Sequence, residues 1–262
     1  MSDLLAGAEA LSDSTSTRKY EFSSETRDWE GHTLHRIRRI SDGALGGWVQ
    51  GYYNLSQEGD CWIFDEAKVY DGAKVSGDAQ VGGRAKVYGT ARVCGTSQVY
   101  GHAQVYEDAR VDGHAHIDGH AHIFYNAKVS GNAKVYDSAM VFDDANVYGN
   151  ASIRDNASVY GNAKVFGDAH VSDDVKIYGN ALVSGDSKIS GDAEVHGSAE
   201  VYGEAKIFDS ADILGDAEIY DYAQVYDNAK ICGDSKVFEH AKVYGQAKVK
   251  GDFVYNKMEV YE

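Results

Sequence analysis

The stretch Ala127-Lys128-Val129-Ser130-Gly131-Asn132-Ala133-Lys134-Val135-Tyr136-Asp137-Ser138 states one six-residue phrase, A-x-V-x-G-x, twice over. Outward from it the phrase runs from Ala67 to Asp252 without an inserted or deleted residue, 186 residues in 31 hexads. The first position is Ala in 27 hexads, with Ser97, Val175, Ser187 and Ser235 as the exceptions, and the third is Val or Ile in all 31. A short period kept this strictly marks a solenoid, and small and β-branched residues at six-residue spacing point to a parallel β-helix.

Within each hexad the first four residues alternate as a strand does, so Ala and Val or Ile face inward while the second and fourth positions face outward. The fifth and sixth positions, mostly Gly-Asp, Gly-Asn or Asp-Ser, carry corner chemistry, since these residues tolerate positive φ or form Asx turns. Three strands and three corners close an 18-residue triangular coil, and about ten coils at roughly 4.8 Å each make a prism roughly 50 Å long. The sequence tests this coil length internally. Tyr70, Tyr88, Tyr106, Phe124, Phe142, Tyr160 and Tyr178 all hold the fourth position at intervals of 18 and define one outward row. Over the same span the other two faces carry aromatics at that position only at Tyr100, Tyr136, Tyr148 and Phe166. Beyond Tyr178 the row passes to His196, Leu214 and Cys232, and aromatics move to the other faces.

Read from its inward Val, the phrase V-Y-G-N-A-K resembles the hexapeptide repeat of left-handed β-helix proteins, a group that includes many trimeric acyltransferases. The passage Gly46-Gly47-Trp48-Val49, Asn54-Leu55-Ser56 and Gly59-Asp60-Cys61-Trp62-Ile63 is similar to the opening cap of poorly characterised bacterial and prophage β-helix proteins. The resemblance covers the chain from about Lys19 onward. It implies an all-β, single-stranded, left-handed parallel β-helix and a phage or prophage origin, and it brings no established activity.

The expected organisation is a flexible segment over 1–18, a β cap over 19–60, the helix over 61–252 and a C-terminal plug over 253–262. Alternation through Tyr20, Phe22, Leu34 and Ile37 suggests that the cap contains a short antiparallel pair. A cap is needed because a bare solenoid end exposes apolar residues and unpaired strand edges. Proline is absent, as suits a chain whose backbone N–H groups nearly all join ladders. The formal charge of −16 argues against direct contact with nucleic-acid phosphates or anionic membranes and leaves room for a basic protein partner. Cys61, Cys94 and Cys232 lie far apart without metal-type or paired spacing, which suits a reducing compartment. Residues 1–18 lack the basic start and apolar core of a signal peptide, so the expected location is cytoplasmic, in the host cytoplasm if the chain is phage-encoded.

Few residues suggest chemistry. His102 and His120, 18 apart at the sixth position, stack on one corner, and His116 leads into it, which makes these three the weak metal candidates. No metal and no cofactor is expected. The group His114–His122 is the sole candidate base for an acyltransferase, but an uninterrupted repeat leaves no protruding loop to complete such a site. Acids at the corners, such as Asp71, Asp143, Asp173 and Asp227, fit turn geometry or, alternatively, a decoy that imitates a nucleic-acid backbone. Arg36, Arg38 and Arg39 form the cap's basic cluster and a candidate docking point for an acidic partner. The seven-ring row is the strongest surface signal. It reads as mutual stacking, as a homo-oligomer face, or as a binding stripe for a host protein or a glycan. The expected function is accordingly a non-catalytic scaffold or binding protein.

Overall fold

A computed structural model describes residues 18–261; the N-terminal segment expected to be flexible lies almost wholly outside them. Two-residue rungs centred on the second and third hexad positions stack into three parallel sheets. The first sheet runs through Lys68–Val69, the second through Lys74–Val75 and the third through Gln80–Val81, each pairing with the rung 18 residues on. The third sheet has 12 strands, so the chain makes 12 turns rather than the expected ten. The extra turns come at the two ends of the repeat. At the start, Leu45–Val49 and Trp62–Ile63 supply first rungs and Leu55 bridges to Val75.

The inward Ala, Val and Ile side chains are buried along the whole repeat and form one continuous core. Two backbone devices hold the coils together. The N–H of each outward residue donates to the next coil, as Lys134 does to Ala151 at 2.8 Å and Tyr136 to Ile153 at 3.1 Å. At each corner the sixth-position N–H does the same, as from Asn132 to the Gly149 carbonyl at 2.7 Å. The corners themselves are turns with the fifth residue in the left-handed region. A Cβ on Gly131, at φ +67°, would stand 2.9 Å from the Gly149 nitrogen, which accounts for glycine at such a corner.

At most corners without glycine an acid compensates. Asp143, Asp173 and Asp227 adopt positive φ, and each accepts a hydrogen bond from the corner N–H one coil on: Gly161 at 3.2 Å, Gly191 at 3.0 Å and Gly245 at 2.9 Å. These corner carboxylates therefore tie coil to coil.

The cap begins with an antiparallel pair, β1 (Tyr20–Trp29) and β2 (His32–Arg39), that extends the first sheet through β3 (Leu45–Val49). Buried Asn54 locks the following loop to the first coil. Its amide donates to the carbonyls of Asp71 and Ala73 at 3.0 and 2.9 Å and accepts from the Gly51 N–H at 2.9 Å. The Tyr20 hydroxyl, also buried, donates to the Leu55 carbonyl at 2.8 Å, and burial pushes its pKa far above the ordinary phenol value.

At the other end the expected plug continues the winding. Phe253–Val254 pairs with Lys236–Val237 and Glu259–Tyr261 with Lys242–Tyr244, at a spacing of 17 instead of 18. One residue is missing at the corner after Gly251, so Asp252 occupies the slot of the inward Ala and the hexad reading loses phase. Among the described residues no helix is long and apolar enough to cross a membrane.

Candidate functional site

The seven aromatic side chains form one unbroken stack on the first sheet. Neighbouring ring centroids lie 4.8–5.2 Å apart with planes within 5° of parallel, and His196 extends the stack at 4.6 Å. The strand spacing sets this interval, and it falls within the range of favourable aromatic contact. The ring faces thus cover one another, and what solvent meets is chiefly a line of ring edges. The rings also lean across their own sheet toward the second-position side chain of the following coil. Tyr88 donates to Gln104 Oε1 at 3.3 Å and Tyr178 to Glu194 Oε2 at 3.0 Å. Burial, together with nearby acids and phenols, pushes the phenols of Tyr88 and Tyr178 up to about 12.

The row is not uniform along its length. Its first ring, Tyr70, is 2% exposed because the β1–β2 turn folds over it. Leu34 and Trp48 pack on that ring, and its hydroxyl donates to Glu30 Oε2 at 3.0 Å. At the far end charge takes over, where His196 meets Asp212 at 3.0 Å and Lys230 meets the same carboxylate at 2.6 Å. Between these limits lie Tyr106, Phe124, Phe142 and Tyr160. The outward row beside them reads Gln104, His122, Met140 and Ser158, uncharged where Lys68 and Lys86 precede it and Lys176 and Glu194 follow. Burial, followed by the nearby His120 and Lys86, lowers the pKa of His122 and favours its neutral form. The middle of the first sheet is therefore an aromatic, charge-free span on a strongly acidic molecule.

One residue of this span was not singled out from the sequence. Tyr125 holds a corner position at φ 54°, where the same corner row otherwise carries Gly, Asp or Glu. An aromatic residue in the left-handed region is strained. Its ring lies 5.1 Å from Phe124 and 49% of the residue is exposed. The hexad alignment contains the signal, an aromatic in a Gly column, but that signal has meaning only once the column is known to need positive φ.

The other candidates separate. His102 and His120 do stack on one corner, with centroids 4.9 Å apart, whereas His116 sits on the third sheet with Nδ1 3.2 Å from Gln98 Oε1. No group of three metal-type ligands occurs among the described residues. His114 contacts Thr96 at another corner, and His122 lies edge-on to Tyr106, so the His114–His122 group is spread over different faces. The basic residues of the cap each have an acidic partner within the chain. Arg36 pairs with Glu25 at 3.1 Å, Arg38 with Glu21, and Arg39 with Asp42 at 3.2 Å, so all three charges are balanced locally. Arg36 and Arg39 also lie over the indoles of Trp48 and Trp62. No family model matches the chain, and no curated protein matches it.

Proposed function

We propose that this protein is a non-catalytic β-helical scaffold that associates side by side with a second copy through the middle of its first sheet. The observation that carries the reading is Tyr125, a strained and exposed aromatic on the corner that borders the uncharged aromatic span. Strain of this kind persists where some gain offsets it, and it clusters at binding and functional positions. Depletion of charge together with enrichment in aromatics and Met is the compositional mark of an interface core, and it is met here by Phe124, Phe142, Tyr125 and Met140. Two copies related by a two-fold axis would bring the same patch together from both sides.

The hexapeptide-repeat and prophage-cap resemblance supports a left-handed winding, a phage or prophage origin and action in the host cytoplasm. On this reading a host protein is the second possible occupant of the same span. The test is the solution mass by light scattering of the wild type and of Phe124→Ser/Phe142→Ser, with circular dichroism of both. An oligomer that falls to a monomer with an unchanged β signal supports self-association. A wild-type monomer removes it and transfers the span to a host partner.

A further inference from the structure

We infer that the cleft between the cap hairpin and the first corner row of the helix is an oxyanion site that takes a phosphate monoester group. It lies apart from the aromatic span and does not depend on the reading given for that span. Winding at 18 residues aligns Glu66, Arg84 and His102 along one corner, and Lys68 and Lys86 along the adjoining strand row. The hairpin adds Arg27 and Trp29 from above, and together these side chains line an open cleft of about 550 Å³. That volume lies within the range of small-molecule sites.

Three of the four cations are held in place, and Arg84 stands exposed beside them. Lys68 and Lys86 place their ammonium groups 4.3 and 5.0 Å from the Trp29 ring, and Arg27 stacks 4.3 Å over Trp48. Two of the four charges are balanced within the protein, Arg27 by Glu66 at 2.7 Å and Lys86 by Glu30 at 3.5 Å. Lys68 and Arg84 form no ion pair with a described residue. Lys68 is only 6% exposed, and its ammonium donates to the Glu66 carbonyl at 3.0 Å. Burial, followed by the charge of Arg27, lowers its pKa despite the nearby Glu66.

The cleft thus has two unbalanced positive charges on a chain of formal charge −16. A phosphate monoester carries a charge of about −1.5 to −2 at neutral pH and matches that excess. A carboxylate supplies about half as much. The guanidinium of Arg84 offers a planar fork for two phosphate oxygens, while Lys68 acts as a fixed point charge beneath. At the rim, His102 stacked on His120 adds an imidazole donor.

Isothermal titration at low salt with inorganic phosphate, sulfate and acetate tests the assignment. Phosphate should bind with a Kd of about 1 mM or tighter, sulfate comparably and acetate far more weakly. Arg84→Gln, an exposed change that leaves the core untouched, should weaken phosphate binding about tenfold or more. Arg110→Gln, on the second sheet, should leave it unchanged. Lys68→Met should weaken it as well, with its unfolding midpoint measured alongside to separate loss of site from loss of fold. Absence of phosphate binding by the wild type, acetate bound as well as phosphate, or full binding by Arg84→Gln would each overturn the assignment.

Discussion

The cap and the repeat reach order by different routes, and the same residue type shows the difference. Asn150, in the repeat, donates to Asp168 at 2.8 Å and accepts from Asn132 at 2.9 Å, one member of a corner row that any neighbour can replace. Asn54, in the cap, is fully buried and makes three hydrogen bonds to backbone groups of two different segments. The repeat is held by iteration, with one backbone pattern copied from coil to coil. The cap is held by single contacts with no copies. Iterated structure spreads the cost of damage over neighbouring coils, whereas unique structure concentrates it.

The largest expected effect lies in the cap. Asn54→Ala strands the carbonyls of Asp71 and Ala73 and the Gly51 N–H, and should destabilise by about 3 kcal/mol in denaturant unfolding. Asn150→Ala should cost less than about 0.5 kcal/mol in the same measurement. Equal costs for the two would erase the contrast. Next comes the repeat core. Ala133 is fully buried, and Ala133→Leu should overpack its coil and cost about 1–3 kcal/mol. An unchanged midpoint there would contradict the inward assignment.

The corner staples come third. Asp227 sits at φ 57° and accepts from the Gly245 N–H at 2.9 Å, so Asp227→Ala loses the bond while keeping a side chain in the left-handed region. It should cost about 1–2 kcal/mol, and Asp227→Gly should cost less because it relieves the backbone. Equal costs for the two variants would mean that the lost hydrogen bond, and not the backbone, dominates the corner.

A pH effect follows from the stacked phenols. Tyr88 and Tyr178 ionise at about 12 in the folded chain, against about 10 when unfolded. Above pH 10 the unfolded chain therefore loses protons first, so stability is complete below that value and declines as pH rises toward 12. A melting midpoint that falls over that interval, tracked together with phenolate absorbance, is the expected outcome. A flat midpoint would mean that the ring edges are as solvated as free phenol.

Much of this architecture was legible because the hexad is a local rule applied many times. Ala in one column and Val or Ile in another decide the inward faces, and Gly, Asn and Asp decide the corners. The 18-residue spacing of Tyr70 through Tyr178 correctly indicated one row of rings. Three features were not legible, each for a physical reason. The twelfth turn hides behind the missing residue after Gly251, which shifts the inward columns by one. The cap arginines read as a cationic cluster because their partners Glu21 and Glu25 lie across a strand pairing that residue spacing does not reveal. The cleft joins Arg27 to Lys68, Arg84 and Lys86 through the way the hairpin folds back on the helix, a contact that no period encodes.

The aromatic span was seen only in outline. Its ring faces are occupied by one another, so the exposed apolar surface rests on ring edges, Met140 and the unanticipated Tyr125. Glycine is the commonest resident of that corner row, so Tyr125→Gly removes the exposed ring while relaxing the backbone. The solution mass of wild type and Tyr125→Gly at equal concentration, with unfolding midpoints alongside, tests the central claim most directly. An oligomeric wild type is expected, with a variant shifted toward monomer whose stability is unchanged or raised by about 1 kcal/mol. A wild-type monomer, or a variant that associates as the wild type does, would contradict that claim.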